Sequence, residues 1–341
     1  MQAKSPLPYI FVLSLPFCVG VAFTFREGFV WLPMFYAFAI VPLLEVFFKP
    51  NHQNLSQDEE QLVKQNKWFD YVIYSMVPLQ YGLLFWFLYE ARDFEWTAEW
   101  LGMTLSMGLL CGSIGINVGH ELGHRRKGHE KRLGQMLLLS SLYLHFNIEH
   151  NKGHHVRVAT PEDPATARRG EWLYIFWFRS MIYGYRNAWN LEFKRLKGKW
   201  FSWKNQMIQF TAVSILFLLV IAAFNTNALV AFILAAFFGM ILLETINYIE
   251  HYGLMRSKMT NGHYEPVRPK HSWNSDHIVG RLLLFELSRH SDHHHLPARK
   301  YQVLRYRDEA PQLPTGYPGM MLLSVIPPLF FAVMHKRLPQ D

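Results

Sequence analysis

Nine histidines stand in four tight clusters along this chain: His120 and His124; His150, His154 and His155; His251 alone; and His290, His293 and His294. A metal enzyme needs three or four imidazoles per ion, so this supply predicts two ions, held beside the apolar stretches that the clusters accompany. In His120-Glu121-Leu122-Gly123-His124 the two rings fall at i and i+4, on one face of a helix and within reach of a single ion. Taken alone, that box is also the HExxH of zinc proteases. The second box repeats the i, i+4 spacing with His150 and His154 and adds His155. Neighbours on a helix point about 100° apart, so His154 and His155 are expected to serve different ions. In the fourth box His290 and His293 share a face at i, i+3 while His294 turns aside. A zinc protease would leave six of these histidines idle; the full set favours a non-haem diiron oxygenase or a desaturase. Glu121, Glu149, Glu250 and Asp292 are interleaved with the rings and are expected to accept hydrogen bonds from each ring's second nitrogen, with one of them able to bridge the ions.

Elements that could position such a cage follow from the apolar pattern. Half of the 341 residues are hydrophobic and only 18% are charged, which suits lipid-embedded helices alternating with polar loops better than a large soluble core. Six runs approach the roughly 20 residues that a crossing helix requires, at 7–25, 29–48, 68–89, 98–118, 208–224 and 228–247. Pro16, Pro33, Pro42 and Pro78 lie inside them and predict kinks. The fold class is therefore all-α: a polytopic membrane protein of six transmembrane helices with a histidine-rich cap, the whole chain (1–341) forming one domain. The connections at 26–28, 90–97 and 225–227 are short, and the second is acidic, whereas 119–206 and 250–341 are long and rich in Arg and Lys. By the positive-inside rule both termini and both catalytic segments, 119–206 and 250–341, are cytoplasmic, which brings all four clusters to one side. Two shorter apolar stretches, 133–146 and 320–334, read as helices packed on the bundle or lying in the interface. The net charge of +8 sits in these loops beside anionic lipid, and no nucleic-acid partner is expected. Cys18 and Cys111 lie inside apolar runs and give neither a disulfide framework nor a thiolate metal site.

Several segments carry a further signal: EHNKGHHVRVATPEDPATARRGE at 149–171, NYIEHYGLMR at 247–256, HSWNSDH at 271–277 and LSRHSDHHHLPARKYQVLR at 287–305. Together with the first box they resemble the integral-membrane alkane 1-monooxygenase family, over most of the chain. Ser288 and His295 depart from the family's usual Gln and Ala in the last box. The resemblance implies two iron ions bound by the nine histidines above and O2-dependent hydroxylation of the terminal methyl of medium-chain n-alkanes to 1-alkanols. It also implies electrons from rubredoxin, fed by a reductase and NAD(P)H, and a place in the bacterial inner membrane. No CxxC pair occurs in the sequence, so the carrier is expected to be a separate protein. Xylene and toluene methyl monooxygenases and fatty-acyl desaturases or hydroxylases share the metal logic and rank next. A metal transporter should place its ligands near the membrane midplane, and these lie at span ends.

An alkane partitions into the hydrocarbon core, so a channel between the spans is expected to deliver its methyl end to the metals. Trp31, Phe35, Phe38 and Trp86 are the candidate lining residues. His52, His129, His263 and His335 read as solvated loop residues, His145 as a hydrogen-bonded core residue, and His271 and His277 as neighbours of the site outside the ligand set.

Overall fold

A computed structural model describes residues 5–93 and 95–339. Six of its helices are long and apolar enough to cross a membrane: Leu7–Phe25, Glu27–Phe47, Trp68–Ala91, Ala98–Gly123, Gln206–Phe224 and Thr226–His251, here called spans 1 to 6. Among the described residues there is no β-strand, only isolated bridges pairing Lys258 with Tyr264 and Asn274 with Gln312. Helix is forced on such segments because lipid offers the backbone no hydrogen-bonding partner.

Span ends are set by local chemistry rather than by where the apolar run stops. The Thr97 side chain accepts from the Trp100 amide at 3.3 Å at the start of span 4, and Asn225 Oδ1 accepts from the Asn227 and Ala228 amides at 2.7 and 3.1 Å at the start of span 6. At their other ends spans 4 and 6 run past the apolar stretch to Gly123 and His251, rather than to residues 118 and 247. Both helices thus carry histidine boxes without a break. Span 2 absorbs its prolines by opening as a 3-10 turn at Glu27–Trp31 and passing through a π turn at Tyr36–Ile40.

Span 4 is the axis of the bundle, with 78% of its apolar window buried, and span 6 follows at 56%; span 5, at 11%, sits on the outside. Spans 4 and 6 approach closely because small residues face each other. A Cβ added to Gly239 of span 6 would meet Cβ of Cys111 at 2.6 Å and the Gly112 amide nitrogen at 3.0 Å, and one added to Gly108 would meet the Ala235 carbonyl at 2.9 Å. This contact fixes how the two histidine-bearing ends stand relative to each other.

Outside the spans, the expected apolar stretches appear as Gly128–Leu139 and as a pair of short helices, Tyr317–Ser324 and Pro327–Met334. A 23-residue helix, Leu173–Arg195, lies within the long connection 119–206. Arg179, Arg186, Lys194 and Arg195 keep its hydropathy too low for a span. One face buries Leu173, Phe176 and Ser180 while Ile175, Phe178 and Ile182 are exposed on the other, the pattern of a helix lying along a membrane surface.

Candidate metal centre

Four segments bring the nine rings together. Span 4 passes through a π turn at Cys111–Ile116 and ends in Asn117–Gly123, which carries His120, with His124 as its cap. The second box is a short helix, Phe146–Glu149, then a π turn, His150–His154, then His155–Arg157. His251 closes span 6, and His290–His295 forms a single short helix. That last helix is held by buried Arg289, whose guanidinium donates to Asp276 Oδ1 at 2.9 Å, to the Leu304 carbonyl at 2.8 Å and to the Asn51 carbonyl at 3.0 Å. The Ser291 amide is in turn fixed by Asn274 Oδ1 at 2.8 Å.

The rings sort into two sets, His120, His124, His150, His155 and His293 in one, and His154, His251, His290 and His294 in the other, with the donor atoms of each set within 4.8 Å of one another. His154 and His155 fall in different sets, as do His293 and His294. Two pairings differ from those expected. His150 joins His155, Nε2 to Nε2 at 2.9 Å, rather than His154, because the π turn puts residues five apart on one face. His290 joins His294 at 2.9 Å, the i, i+4 neighbour, and not His293 at i+3.

The ring geometry fits metal ions. Nε2 of His293 lies 2.9 Å from Nε2 of His120 and 3.1 Å from that of His155, and in the second set His154 to His294 and His251 to His290 are 3.2 and 3.1 Å. Two nitrogens each about 2.1 Å from a common ion lie about 3.0 to 3.4 Å apart for angles between a right angle and the tetrahedral one, so the close pairs in each set have the spacing of ligands that share an ion. A neutral ring's Nε2 carries either a proton or a lone pair, so hydrogen bonding cannot satisfy every pair in a set of four or five converging nitrogens, whereas a cation draws all their lone pairs at once. Nε2 of His124 is buried with no hydrogen-bond partner among the described residues, as befits a reserved donor.

Burial holds the rings in the donor form. It pushes His150, His155, His290, His293 and His294 well below the usual imidazole range and His124 down to about 3, and the neighbouring rings add to the effect. His154 goes the other way: burial opposes its charge, but the Asp163 carboxylate outweighs it and raises the ring.

Asp163 is the residue that sequence reasoning missed. Its Oδ2 lies 2.8 Å from Nδ1 of His154 and also accepts from Thr166 Oγ1 at 2.6 Å. The available signal was a buried-type acid bracketed by Pro161 and Pro164 in the 149–171 segment. The four acids read as ring partners are mostly placed elsewhere. Glu121 accepts from Arg125 Nε at 2.9 Å and the Tyr301 amide at 3.2 Å; Arg125 continues to Asp70 at 2.9 Å, so Glu121 joins spans 3 and 4 to the C-terminal segment. Glu149 takes Asn187 at 2.8 Å and Arg157 at 3.2 Å. Asp292 takes Arg299, the Arg305 amide and Arg307 at 3.0, 3.0 and 2.7 Å. Only Glu250 of the four touches a ring, and it does so on the metal-facing side: its Oε2 is 3.2 Å from Nε2 of His290, while Oε1 accepts from Tyr317 OH at 2.6 Å. Arginines took these carboxylates because a guanidinium offers a buried carboxylate a charge-assisted hydrogen bond, which a neutral ring cannot match.

His145, His271 and His277 stay outside both sets, and His295 is exposed at the helix end. His335, read as a solvated loop residue, instead meets Tyr252 OH through its Nε2 at 2.8 Å.

An apolar cavity of ≈ 90 Å³ lies among spans 1, 2, 4 and 6, lined by Leu15, Phe38, Leu109, Leu242, Ile246 and by Tyr317, which meets Glu250 beside His290. Of the four channel candidates, Phe38 lines it. Trp31 and Phe35 border a separate shallow groove with Glu27 and Leu32, and Trp86 packs edge-on against Phe23 at 5.7 Å with its indole N–H on Glu90.

Residues 94–324 match the model of the fatty acid desaturase family. The chain is 39% identical to the alkane 1-monooxygenase of Acinetobacter baylyi over 87% of its own length and 74% of that protein. It is 40% identical to alkane 1-monooxygenase 1 of Pseudomonas aeruginosa over 96% and 88%. The chain belongs to the alkane 1-monooxygenase family. Likeness to the hydroxylase component of a Pseudomonas putida xylene/toluene monooxygenase is weaker, 28% over 64% of this chain and 58% of the relative. Membership of the alkane 1-monooxygenase family removes the zinc protease reading of the first box, since the stretch matched by the family model contains all four histidine segments.

Proposed function

We propose that this protein is an integral-membrane alkane 1-monooxygenase that converts medium-chain n-alkanes to 1-alkanols at two iron ions. One ion is held by His120, His124, His150, His155 and His293, the other by His154, His251, His290 and His294. The observation that carries the reading is that two buried histidine sets share one bundle with an apolar cavity that reaches Tyr317, whose hydroxyl meets Glu250 beside His290. Bound iron supplies the O2 activation that an unactivated C–H bond requires and that side-chain acid–base chemistry cannot provide. The overall balance is one alkane, one O2, two electrons and two protons giving one 1-alkanol and one water.

The chain's own residues bind, orient and exclude. Leu15, Phe38, Leu109 and Leu242 offer the alkane only dispersion contacts and displaced water, so affinity grows with chain length until the cavity is full. Ile246 lies just over a helical turn before His251, so a chain lying along span 6 reaches the second set with its terminal methyl. Asp163 orients His154, and Glu250, steadied by Tyr317, offers the second set a carboxylate oxygen beside His290.

The positive-inside pattern supports placing the histidine end in the cytoplasm of a bacterium, with the spans in its inner membrane. Electrons then come from rubredoxin, loaded by its reductase and NAD(P)H. Exposed Arg126, Lys127, Lys131 and Arg132 follow directly on His124 and offer an acidic carrier a docking face. Membranes containing the protein, supplied with an n-alkane, O2, NADH, reductase and rubredoxin, should yield the 1-alkanol, and purified protein should hold two iron ions per chain. No alkanol, or a single zinc without iron, overturns the reading.

A further inference from the structure

A file of aromatic rings runs from the first histidine set to the protein surface. His150 stacks on Phe146 at 4.6 Å between ring centres, and Phe146 stacks on Tyr143 at 5.4 Å. Tyr143 meets His145 at 4.7 Å, His145 meets Tyr185 at 5.0 Å, Tyr185 meets Trp189 at 6.5 Å, and Trp189 meets Trp200 at 6.2 Å. The file begins in the core, with Tyr143 only 4% exposed, and ends in an open groove where Tyr185 and Trp200 are 41% and 40% exposed. Arg168 and Arg186 also line that groove. At the inner end the Tyr143 hydroxyl donates to Oε1 of Glu244 at 2.7 Å, and Glu244 is itself buried and takes the Asn247 amide on its other oxygen at 3.3 Å.

We propose that this file is a one-electron path that protects the centre, letting it be quenched from the surface when O2 is reduced with no alkane in the cavity. The proposal rests on the O2-activating reading above. Tyrosine and tryptophan can give up an electron to a strong oxidant but have no reduced form that a biological carrier can reach. Redox stations of this kind therefore serve the export of oxidising equivalents, not the arrival of the carrier's low-potential electrons.

The step balances as follows. Tyr143 gives one electron to the oxidised centre through Phe146 and His150, and its phenolic proton moves along the existing hydrogen bond to Glu244. An electron from Tyr185, Trp189 or Trp200 refills the tyrosyl radical as Glu244 returns the proton. The outer radical is reduced in the groove by a solvent thiolate, whose anionic form the arginines favour. Two such rounds deliver two electrons, and the two thiyl radicals couple to one disulfide. The ligand rings are thereby spared oxidation.

The test uses the iron-loaded protein in lipid nanodiscs with carrier, reductase, NADH and O2 but no alkane, read by freeze-quench electron paramagnetic resonance and by peptide mass spectrometry. Wild type should show a tyrosyl or tryptophanyl signal and oxygen adducts on Tyr185, Trp189 and Trp200. Tyr143→Phe should lose both, oxidise His150 or His155 instead, and inactivate severalfold sooner, while its initial rate with saturating alkane stays unchanged. Trp200→Phe keeps an aromatic ring stacked on Phe193 at a position 40% exposed, so the fold is retained; its adducts should stop at Tyr185 and Trp189, and added thiol should protect it less. The 1-alkanol assay on the same preparation separates the two readings. Product without radical or adducts overturns the path alone, and absence of product overturns the hydroxylase reading and the path with it.

Discussion

Nδ1 of His154 sits 2.8 Å from Oδ2 of Asp163 while Nε2 of the same ring faces His294 at 3.2 Å, so a single carboxylate fixes the ring from behind. Partners of this kind hold a ligand's orientation and raise its basicity. Asp163→Asn should lower affinity at the four-histidine set by about 10- to 100-fold and leave the five-histidine set loaded. Iron content per chain, measured against graded chelator, reads this directly; equal loss from both sets would contradict it.

Acid should act on the empty cage in a predictable direction. Six rings outside the spans (His124, His150, His155, His290, His293 and His294) are held below the ordinary value of 6.5, mainly by burial. The unfolded chain therefore takes up protons that the folded chain refuses, and stability falls as pH drops below 6.5. Thermal unfolding of the metal-free protein should show this decline, and the iron-loaded protein should resist it to lower pH because the ion competes with the protons. A flat profile for the metal-free form between pH 7 and 5 would argue against cooperative burial of the rings.

Phe38→Ala should widen the cavity and raise turnover of longer n-alkanes severalfold, whereas Leu109→Phe should shift preference to shorter ones. Trp86→Ala is the matched control, because its ring lies against Phe23 and not on the cavity wall. Chain-length profiles by gas chromatography decide the point. If all three variants keep the parent profile, the cavity does not bind the alkane.

Packing between spans 4 and 6 leaves no room for a side chain at Gly239. Gly239→Leu should cost about 1–3 kcal/mol or more of stability by overpacking, with a lowered melting temperature in detergent and loss of iron. Gly20→Leu, where an added Cβ meets nothing within 4 Å, should melt like the parent.

Much of this architecture was legible in the sequence for a plain reason. Lipid allows only one backbone solution for long apolar runs, so six spans in the right order could be read from hydropathy. Adjacent histidines diverge on any helix, which is why His154 and His155 separate as spacing implies. The partner of His150 was not legible, because hydropathy does not reveal where a helix widens into a π turn. The arginine partners of Glu121, Glu149 and Asp292 were not legible, since proximity in sequence to a ring says nothing of the cations that folding brings to the same carboxylate. Asp163 escaped because its ring lies nine positions away across a proline-bracketed loop. The Leu173–Arg195 helix escaped because its apolar face is split between core and surface, and no single window looks greasy.

The widened turn at 150–154 makes the winding of the chain part of the cage. Rewound as a regular helix at its full length, the segment would carry His155 about 140° around from His150, because five steps of about 100° overshoot a full circle, and His154 would take the place beside it. Both sets would then compete for the same rings. All nine imidazoles would be present and the centre would still be lost, so the pitch of one turn is as binding a specification as residue identity.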